Sequence, residues 1–218
     1  MSAFARYGAS VAFLRDLDDN WAGLVAHVGP CLHDPKAARE PYEALVRAIG
    51  YQQLTAKAGY AIIARLKALY PDATFPTPEN IMVAEFDALR ACGFSAAKIA
   101  TIKAIAEGAP SGLIPLRNVA GTMDDEELIA RVVTIKGIGR WSVEMLLMYS
   151  LERIDILPAD DFGVREGIGR SSPYRNSLSR THCARSGKPG RRIAPLPRGI
   201  FGACPASAAM SSNERAWT

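Results

Sequence analysis

The chain has 218 residues, of which 49% are apolar, so it is long enough for one domain or for two small subdomains that share a core. It contains no apolar run near the roughly 18 residues of a membrane-spanning helix. Its four cysteines are scattered and form no CxxC pair, which disfavours a zinc or iron–sulfur site. We therefore expect no metal, no membrane partner, no secretory signal and a reducing, cytoplasmic location.

The net charge of +4 is unevenly distributed along the chain. Residues 169–218 contain eight arginines and one lysine against a single acid, Glu214, whereas residues 1–168 contain 17 basic and 21 acidic residues. The first 168 residues therefore carry a net charge of −4. A basic isoelectric point of the whole chain does not argue for nucleic-acid binding here, which has to be inferred from local motifs.

Residues 1–168 have the spacing of helices joined by short loops, and strand-like alternation is nearly absent, so the fold class is predicted to be all-α. Between Pro41 and Pro71, the spacing of apolar residues predicts one amphipathic helix over residues 41–70. Three further helices, each opening with a capping hydroxyl residue, are predicted over 77–93 from Thr77 to Gly93, over 95–108 from Ser95 to Gly108, and over 122–135 from Thr122.

A Gly137-Ile138-Gly139 sequence connects the helix that ends near Lys136 with a helix that begins at Arg140. Glycines permit a tight turn, and they would leave the N–H groups of Gly137, Ile138 and Gly139 bare beside the positive end of the second helix. Such a turn suits one DNA phosphate, with the Ile138 side chain tucked between the helices. An ordinary tight turn between two helices is the alternative, because glycine-rich helix connections are common.

Two adjacent acids, Asp160 and Asp161, follow Pro158 about twenty residues beyond Trp141 and precede a short helical stretch. An aspartate at the start of a helix accepts hydrogen bonds from backbone N–H groups. A simple N-cap is therefore the alternative to a functional role for Asp161.

The combination of "IKGIGRWS" between two helices with a downstream "LPADDFGVREG" resembles the helix-hairpin-helix (HhH-GPD) DNA glycosylase superfamily, in its DNA-3-methyladenine glycosylase II branch. The stretches "WAGLVAHVGPC", "VRAIGYQQLTAKAG" and "LRACGFSAAKIATIKAIAEG" resemble further segments of this family. The resemblance covers about residues 10–167 and implies two helical subdomains with a catalytic cleft between them. It also implies base excision repair by a monomer that acts on alkylated bases in double-stranded DNA, in the cytoplasm on bacterial nucleoid DNA.

The resemblance also implies roles for individual residues. Asp161 matches the catalytic acid, which would stabilise an oxocarbenium-like transition state, and Asp160 would cap or support the helix. Gln53 and Leu54 match the wedge that fills the space left by a flipped nucleotide. A core position on an amphipathic helix is the alternative for Leu54.

Trp141 stands where relatives that also cleave the DNA backbone carry a lysine, so the resemblance implies a monofunctional hydrolase without lyase activity. A tryptophan face attracts a cationic alkylated purine, and Met145 would line the same pocket, with core packing as the alternative for both. DNA-phosphate binding is expected at Gly137, Ile138, Gly139 and Arg140, with support from Ser142, whereas Lys136 would meet a phosphate or solvent.

No cofactor is expected, although a monovalent cation can occupy such a hairpin. Two other readings of function stay open. The chain could be a non-catalytic helix-hairpin-helix module that only binds the DNA backbone, or an acidic scaffold domain with a basic tail. Asp161 together with a pocket tryptophan, Trp141, favours the glycosylase over the binding module, and the scaffold interpretation explains neither motif.

The family pattern stops at Gly167, so residues 1–167 are interpreted as a C-terminally incomplete glycosylase domain. Residues 168–218 are rich in Gly, Pro, Ser and Arg without an apolar period, which predicts a disordered basic tail. Out-of-frame translation is a second hypothesis, because a shift of one nucleotide can restore both missing C-terminal motifs of the family, and the codons of the gene test it. The resemblance implies C-terminal helices that pack on the N-terminal ones and complete the core. Without them, large apolar side chains worth about 1.5–3 kcal/mol each would be exposed, so we expect impaired stability and activity.

Overall fold

The computed structural model describes residues 3–29, 39–153, 156 and 158–161. These residues form helices and no strands, which confirms the predicted all-α class. The ten helices of this part of the chain are α1 (Ala3–Arg15), α2 (Asp19–Val28), α3 (Pro41–Tyr51), α4 (Ala56–Ala68), α5 (Pro78–Val83), α6 (Phe86–Cys92), α7 (Ala96–Gly108), α8 (Arg117–Ala120), α9 (Asp125–Val132) and α10 (Arg140–Tyr149).

The helices belong to two compact units. The first unit contains α1 and α2, which pack against each other, and the described residues from Arg153 onward. The second unit contains α3 to α10. Within it, α3 packs against α4, α7 and α10, and its residues Leu45, Val46 and Ile49 are completely buried. Helix α3 is therefore the core helix of the second unit, because three other helices cover its apolar side chains.

The single helix predicted over residues 41–70 is wrong, because the chain breaks into α3 and α4 at residues 52–55. Helix α3 ends because its C-cap residue, Gln52, leaves the helical conformation with a ψ of 128°, and Gln53 follows with a left-handed φ of 55°. Thr55 then starts α4, as its hydroxyl accepts a hydrogen bond from the N–H of Ala58 at 3.3 Å. Leu54 lies in this break and is 44% exposed, although the apolar spacing offered it a core position.

The helix predicted over residues 77–93 is also divided, into α5 and α6. Its predicted cap is confirmed, since Thr77 forms a reciprocal capping box with Asn80. The helix stops because Ala84 takes an extended conformation. The Lys103 ammonium on α7 donates to the carbonyl oxygens of Met82 at 3.3 Å and Ala84 at 2.8 Å, so a tertiary contact binds the carbonyls at the end of α5.

Helix α9 begins later than predicted. Its N-cap is Asp124, whose carboxylate accepts from the N–H groups of Glu126 at 2.9 Å and Glu127 at 3.4 Å. The predicted opening residue, Thr122, instead donates its hydroxyl proton to the carbonyl of Val119 at 2.8 Å, so it is engaged in the preceding turn. A carboxylate is also favoured at this place by the positive end of the helix. The cap predicted at Ser95 for α7 is confirmed.

Residues 162–218 lie outside the described residues, so the predicted tail and the frame-slip hypothesis stay predictions. In the part of the chain that the structure covers, no helix has the length and apolar character needed to cross a membrane. The same part contains no group of three or more His, Cys, Asp or Glu side chains arranged to hold a metal ion.

Candidate nucleic-acid interface

The turn between α9 and α10 depends on its first glycine. Gly137 has a φ of 93°, and a Cβ at this position would lie 2.1 Å from Oγ1 of Thr101 on α7. Both the backbone conformation and the lack of space therefore require glycine there. The Ile138 side chain is buried, with 5% exposure, as predicted for a residue packed under the turn. Gly139 has ordinary extended backbone as the N-cap of α10, and a Cβ there would meet no atom within 4 Å.

The hairpin presents two bare N–H groups rather than the predicted three. The N–H of Ile138 donates to the carbonyl of Ile135 at 3.1 Å, because a turn continues beyond the end of α9. Those of Gly137 and Gly139 donate to no acceptor within the described ranges, and both glycines are exposed. Together with the positive end of α10, these two donors can bind an anion such as a phosphate.

Arg140 follows the turn and is held by two glutamates. Its Nη1 donates to Oε2 of Glu126 at 2.8 Å, its Nη2 bonds Oε1 of the same carboxylate, and its Nε donates to Oε1 of Glu144 at 2.9 Å. Hydrogen bonding to Glu126 and Glu144 raises the pKa of Arg140 above its usual range. The guanidinium expected at a DNA phosphate thus already has two carboxylate partners, and a phosphate would compete with them.

The predicted wedge residues lie on the turn between α3 and α4. Gln53 and Leu54 are both exposed, so the alternative that placed Leu54 in the core is wrong. The turn is closed by the N–H of Leu54, which donates to the carbonyl of Tyr51 at 3.2 Å. Gly59 of α4 faces the Tyr51 ring so closely that a Cβ would lie 2.3 Å from Cδ1, which brings the two helices together just below the turn.

Gln52 joins this turn to the hairpin. Its Nε2 donates to Oγ of Ser142 at 3.1 Å and more weakly to the carbonyl of Gly137 at 3.4 Å. Ser142 is only 1% exposed, so its hydroxyl meets Gln52 instead of the expected phosphate. No sequence pattern predicts this role for Gln52, and its position beside the predicted wedge is the one signal that points to it.

Lys98 of α7 holds the same turn from another direction. Its ammonium donates to the carbonyl oxygens of Gln52 at 2.8 Å and Gly50 at 3.4 Å, which are otherwise free at the end of α3. The sequence does not predict this role for Lys98, because no local pattern connects it with the end of α3, 46 residues earlier in the chain.

The two predicted pocket residues differ in burial. Trp141 lies in the first turn of α10 and is partly exposed beside the hairpin. Met145, one turn further, is only 6% exposed, so it packs in the core of the second unit as the alternative interpretation has it. Lys136 is exposed on the other side of the glycines.

Asp161 belongs to the first unit. It is partly exposed, and its N–H donates to the carbonyl of Pro158 at 2.9 Å in a short turn that includes Asp160. The helical stretch predicted after it lies outside the described residues, so the N-cap interpretation stays a prediction. The hairpin, Trp141 and the wedge turn all belong to the second unit.

Comparison with known proteins identifies relatives that cover most of the chain. The chain is 50% identical over 157 residues to DNA-3-methyladenine glycosylase 1 of Schizosaccharomyces pombe. This match spans 71% of this chain and 68% of the relative. It is 38% identical over 162 residues to the alkylbase DNA glycosidase-like protein mag2 of the same yeast, spanning 74% of this chain and 76% of that protein.

Solved structures agree in fold. The 3-methyladenine DNA glycosylase (Mag1) of S. pombe in complex with abasic DNA superposes with a TM-score of 0.72 at 48% identity, over 75% of this chain and 80% of that one. A DNA-3-methyladenine glycosidase of Bacillus halodurans gives 0.68 at 26% identity, over 94% and 91% of the two chains. The family model of the HhH-GPD superfamily of base excision DNA repair proteins matches residues 46–186. The match extends beyond Gly167, the residue at which the family pattern was predicted to stop. The chain belongs to the HhH-GPD superfamily of base excision DNA repair proteins.

Proposed function

We propose that the protein is a DNA glycosylase of the DNA-3-methyladenine glycosylase II branch, which hydrolyses the N-glycosidic bond of alkylated purines in double-stranded DNA. The observation that carries this proposal is the pairing of a hairpin that has two bare N–H donors with an exposed wedge turn bonded to it through Gln52. The relatives named DNA-3-methyladenine glycosylase support the choice of lesion.

Access to the bond requires that the damaged nucleotide leave the base stack. In our proposal the N–H groups of Gly137 and Gly139 bind one backbone phosphate and thereby fix the register of the protein on the duplex. Gln53 and Leu54 enter the stack from the exposed turn and fill the vacated space, which offsets part of the cost of unstacking. This role would explain why Leu54 is exposed, because its apolar surface would be buried only when DNA is bound.

The chemistry assigned to Asp161 is electrostatic and general-base catalysis. As the C1′–N bond breaks, its electron pair leaves with the base, and the positive charge that develops on the sugar is stabilised by the carboxylate. A water oxygen then bonds to C1′, and its proton passes to the carboxylate and on to solvent. An alkylated purine is cationic and leaves as a neutral base, so little acid catalysis is needed, and the Trp141 ring would favour its positive charge.

We further propose that the enzyme has no lyase activity, because Trp141 follows the hairpin where a Schiff base would need an amine, and the exposed Lys136 lies before the glycines. It would work as a cytoplasmic monomer without an organic cofactor. Binding of a monovalent cation at the hairpin stays part of this proposal.

The test compares Asp161→Asn with Asp160→Asn on a duplex containing methylated purines, under single-turnover conditions. Loss of the catalytic carboxylate should lower the rate of excision by about 100-fold or more, whereas the neighbouring substitution should lower it by less than about tenfold. If the wild type and both variants bind DNA but release no base, and a version with the family's C-terminal motifs restored also releases none, the non-catalytic binding module is the correct function. Excision that survives in Asp161→Asn would refute the assigned mechanism.

A further inference from the structure

The two loops assigned to DNA lie far apart in sequence but are directly bonded. The Gln52 amide belongs to the wedge turn, and it reaches Ser142 and Gly137, which are 90 and 85 residues away in the chain. Ser142 is buried and lies in the first turn of α10, directly behind the hairpin glycines. A shift of the wedge turn against the hairpin would therefore break a hydrogen bond inside the second unit.

One face of α7 supports both loops. Lys98 and Thr101 are three residues apart, so they lie on the same side of the helix. Lys98 binds the carbonyls that end α3, and Thr101 fills the space where a side chain on Gly137 would be. The first turns of α7 thus contact the base of the wedge turn and the base of the hairpin.

The wedge turn also requires support, because its conformation is unfavourable in isolation. Gln53 has a φ of 55° although it is not a glycine, and such a backbone persists only when surrounding contacts determine it. Two contacts hold the preceding residue, Gln52. Its side-chain amide donates to Oγ of Ser142, and its carbonyl oxygen accepts from the Lys98 ammonium.

We propose that Gln52 and Lys98 are positioning residues that fix the wedge turn relative to the hairpin, so that phosphate binding and nucleotide flipping occur as one coupled event. This inference rests on the proposed function. Neither side chain has to touch the reacting atoms. Both act by holding the strained turn ready, so that the binding of a phosphate at the hairpin already places the wedge against the base stack.

The same helix provides a matched control. Lys103 of α7 donates to two carbonyls at the end of α5 at 3.3 and 2.8 Å, almost the same geometry as Lys98 at the end of α3 at 3.4 and 2.8 Å. Lys98→Met and Lys103→Met remove the same charge and equivalent hydrogen bonds. They differ in one respect: Lys98 binds the end of α3, which leads into the wedge turn, and Lys103 binds the end of α5, which does not.

The first experiment measures binding of Gln52→Met, Lys98→Met, Lys103→Met and the wild type to an undamaged duplex and to the same duplex with an abasic-site analogue. We expect the preference for the abasic duplex to fall about three- to tenfold in Gln52→Met and Lys98→Met, and undamaged binding to change less than about twofold. Lys103→Met should keep the wild-type preference even if its melting temperature drops equally. Equal preference in all variants, or an equal loss in Lys103→Met, would overturn the inference.

A second experiment needs no DNA and is therefore independent of the proposed function. Amide hydrogen exchange of residues 52–55 is compared among the wild type, Ser142→Ala and Lys103→Met. Exchange of residues 137–142 is compared between the wild type and Gln52→Met. If the loops are coupled, Ser142→Ala accelerates exchange in the wedge turn about threefold or more, and Gln52→Met does so in the hairpin. Unchanged exchange in both segments refutes the coupling. If exchange is coupled but the wild type shows no preference for abasic DNA in the first experiment, the glycosylase assignment is refuted instead.

Discussion

Thr101 packs against Gly137 so closely that a Cβ on this glycine would lie 2.1 Å from the threonine Oγ1. Withdrawal of the threonine would break a hydrogen bond, because its hydroxyl donates to the carbonyl of Ala97 at 3.0 Å on the same helix. The hairpin backbone is thus seated directly on α7, and the first glycine of the hairpin is a structural requirement before it is a DNA-binding residue.

Gly137→Ala should lower the free energy of unfolding by about 2–4 kcal/mol, from the left-handed backbone and the clash together. Gly139→Ala should cost less than about 1 kcal/mol, because its φ of −97° is ordinary and no atom lies within 4 Å of its Cβ. Urea unfolding of both variants measures the difference. Equal destabilisation would contradict the close packing on Thr101.

Glu126→Gln should strengthen binding to undamaged DNA, because it frees the Arg140 guanidinium from its bidentate carboxylate partner. An extra phosphate contact should steepen the slope of log K against log salt by about one. Glu127→Gln is the matched control, as it removes the same charge from an exposed neighbour on α9. An identical salt slope in the two variants would show that Arg140 makes no phosphate contact when released.

Tyr42→Phe should stabilise the protein at pH 7 by about 1 kcal/mol, because the Tyr42 hydroxyl is buried without a hydrogen-bond partner among the described residues. Phenylalanine keeps the edge-on ring contact with Phe75, whose centroid lies 6.3 Å away.

The same substitution should change the response to alkali. Burial raises the pKa of Tyr42 well above its ordinary value of 10.0, so above pH 10 the unfolded chain loses this proton while the folded chain keeps it. Ionisation of Tyr42 in the unfolded chain therefore leaves the free energy of unfolding unchanged below pH 10 and lowers it increasingly above pH 10. The free energy of unfolding, measured at pH 9 and pH 11, should fall less between these two values in Tyr42→Phe than in the wild type, and an equal fall in both proteins would contradict the prediction.

Base excision should leave the DNA backbone intact. Because no amine follows the hairpin directly, we expect abasic product that breaks only after alkali treatment, and no covalent adduct on reduction with borohydride. A denaturing gel run with and without alkali measures this. Strand breaks without alkali, above those in a buffer-treated abasic duplex, would indicate that another amine such as Lys136 forms a Schiff base.

The sequence predicted the hairpin well because its determinants are local: two glycines, a buried isoleucine and flanking helices within fifteen residues. It did not predict the break at residues 52–55, because the apolar period continues across it. The break depends instead on contacts from Lys98 and Ser142, 46 and 90 residues away from Gln52. The family resemblance therefore located the wedge residues in the chain, whereas the helical period offered Leu54 a core position that it does not occupy.

Arg140 illustrates the same limit in the candidate site. An arginine at a helix start beside two glycines indicates a phosphate contact, and the sequence gives no reason to connect it with Glu126, 14 residues earlier. The pairing exists only because the turn brings the start of α9 against the start of α10. Charge near a motif thus predicts the kind of partner but not which partner the folded chain supplies.

The bridge from Glu126 through Arg140 to Glu144 also bears on how fast the protein can engage DNA. The bridge connects the first turn of α9 to α10 across the hairpin, so it holds the hairpin in place before DNA binds. The conformational entropy of the hairpin is therefore lost on folding and not on binding. A preorganised turn of this kind can test many phosphates in succession without refolding at each one. Rapid, weak sampling along a duplex is the search behaviour that a repair protein needs when damaged bases are rare.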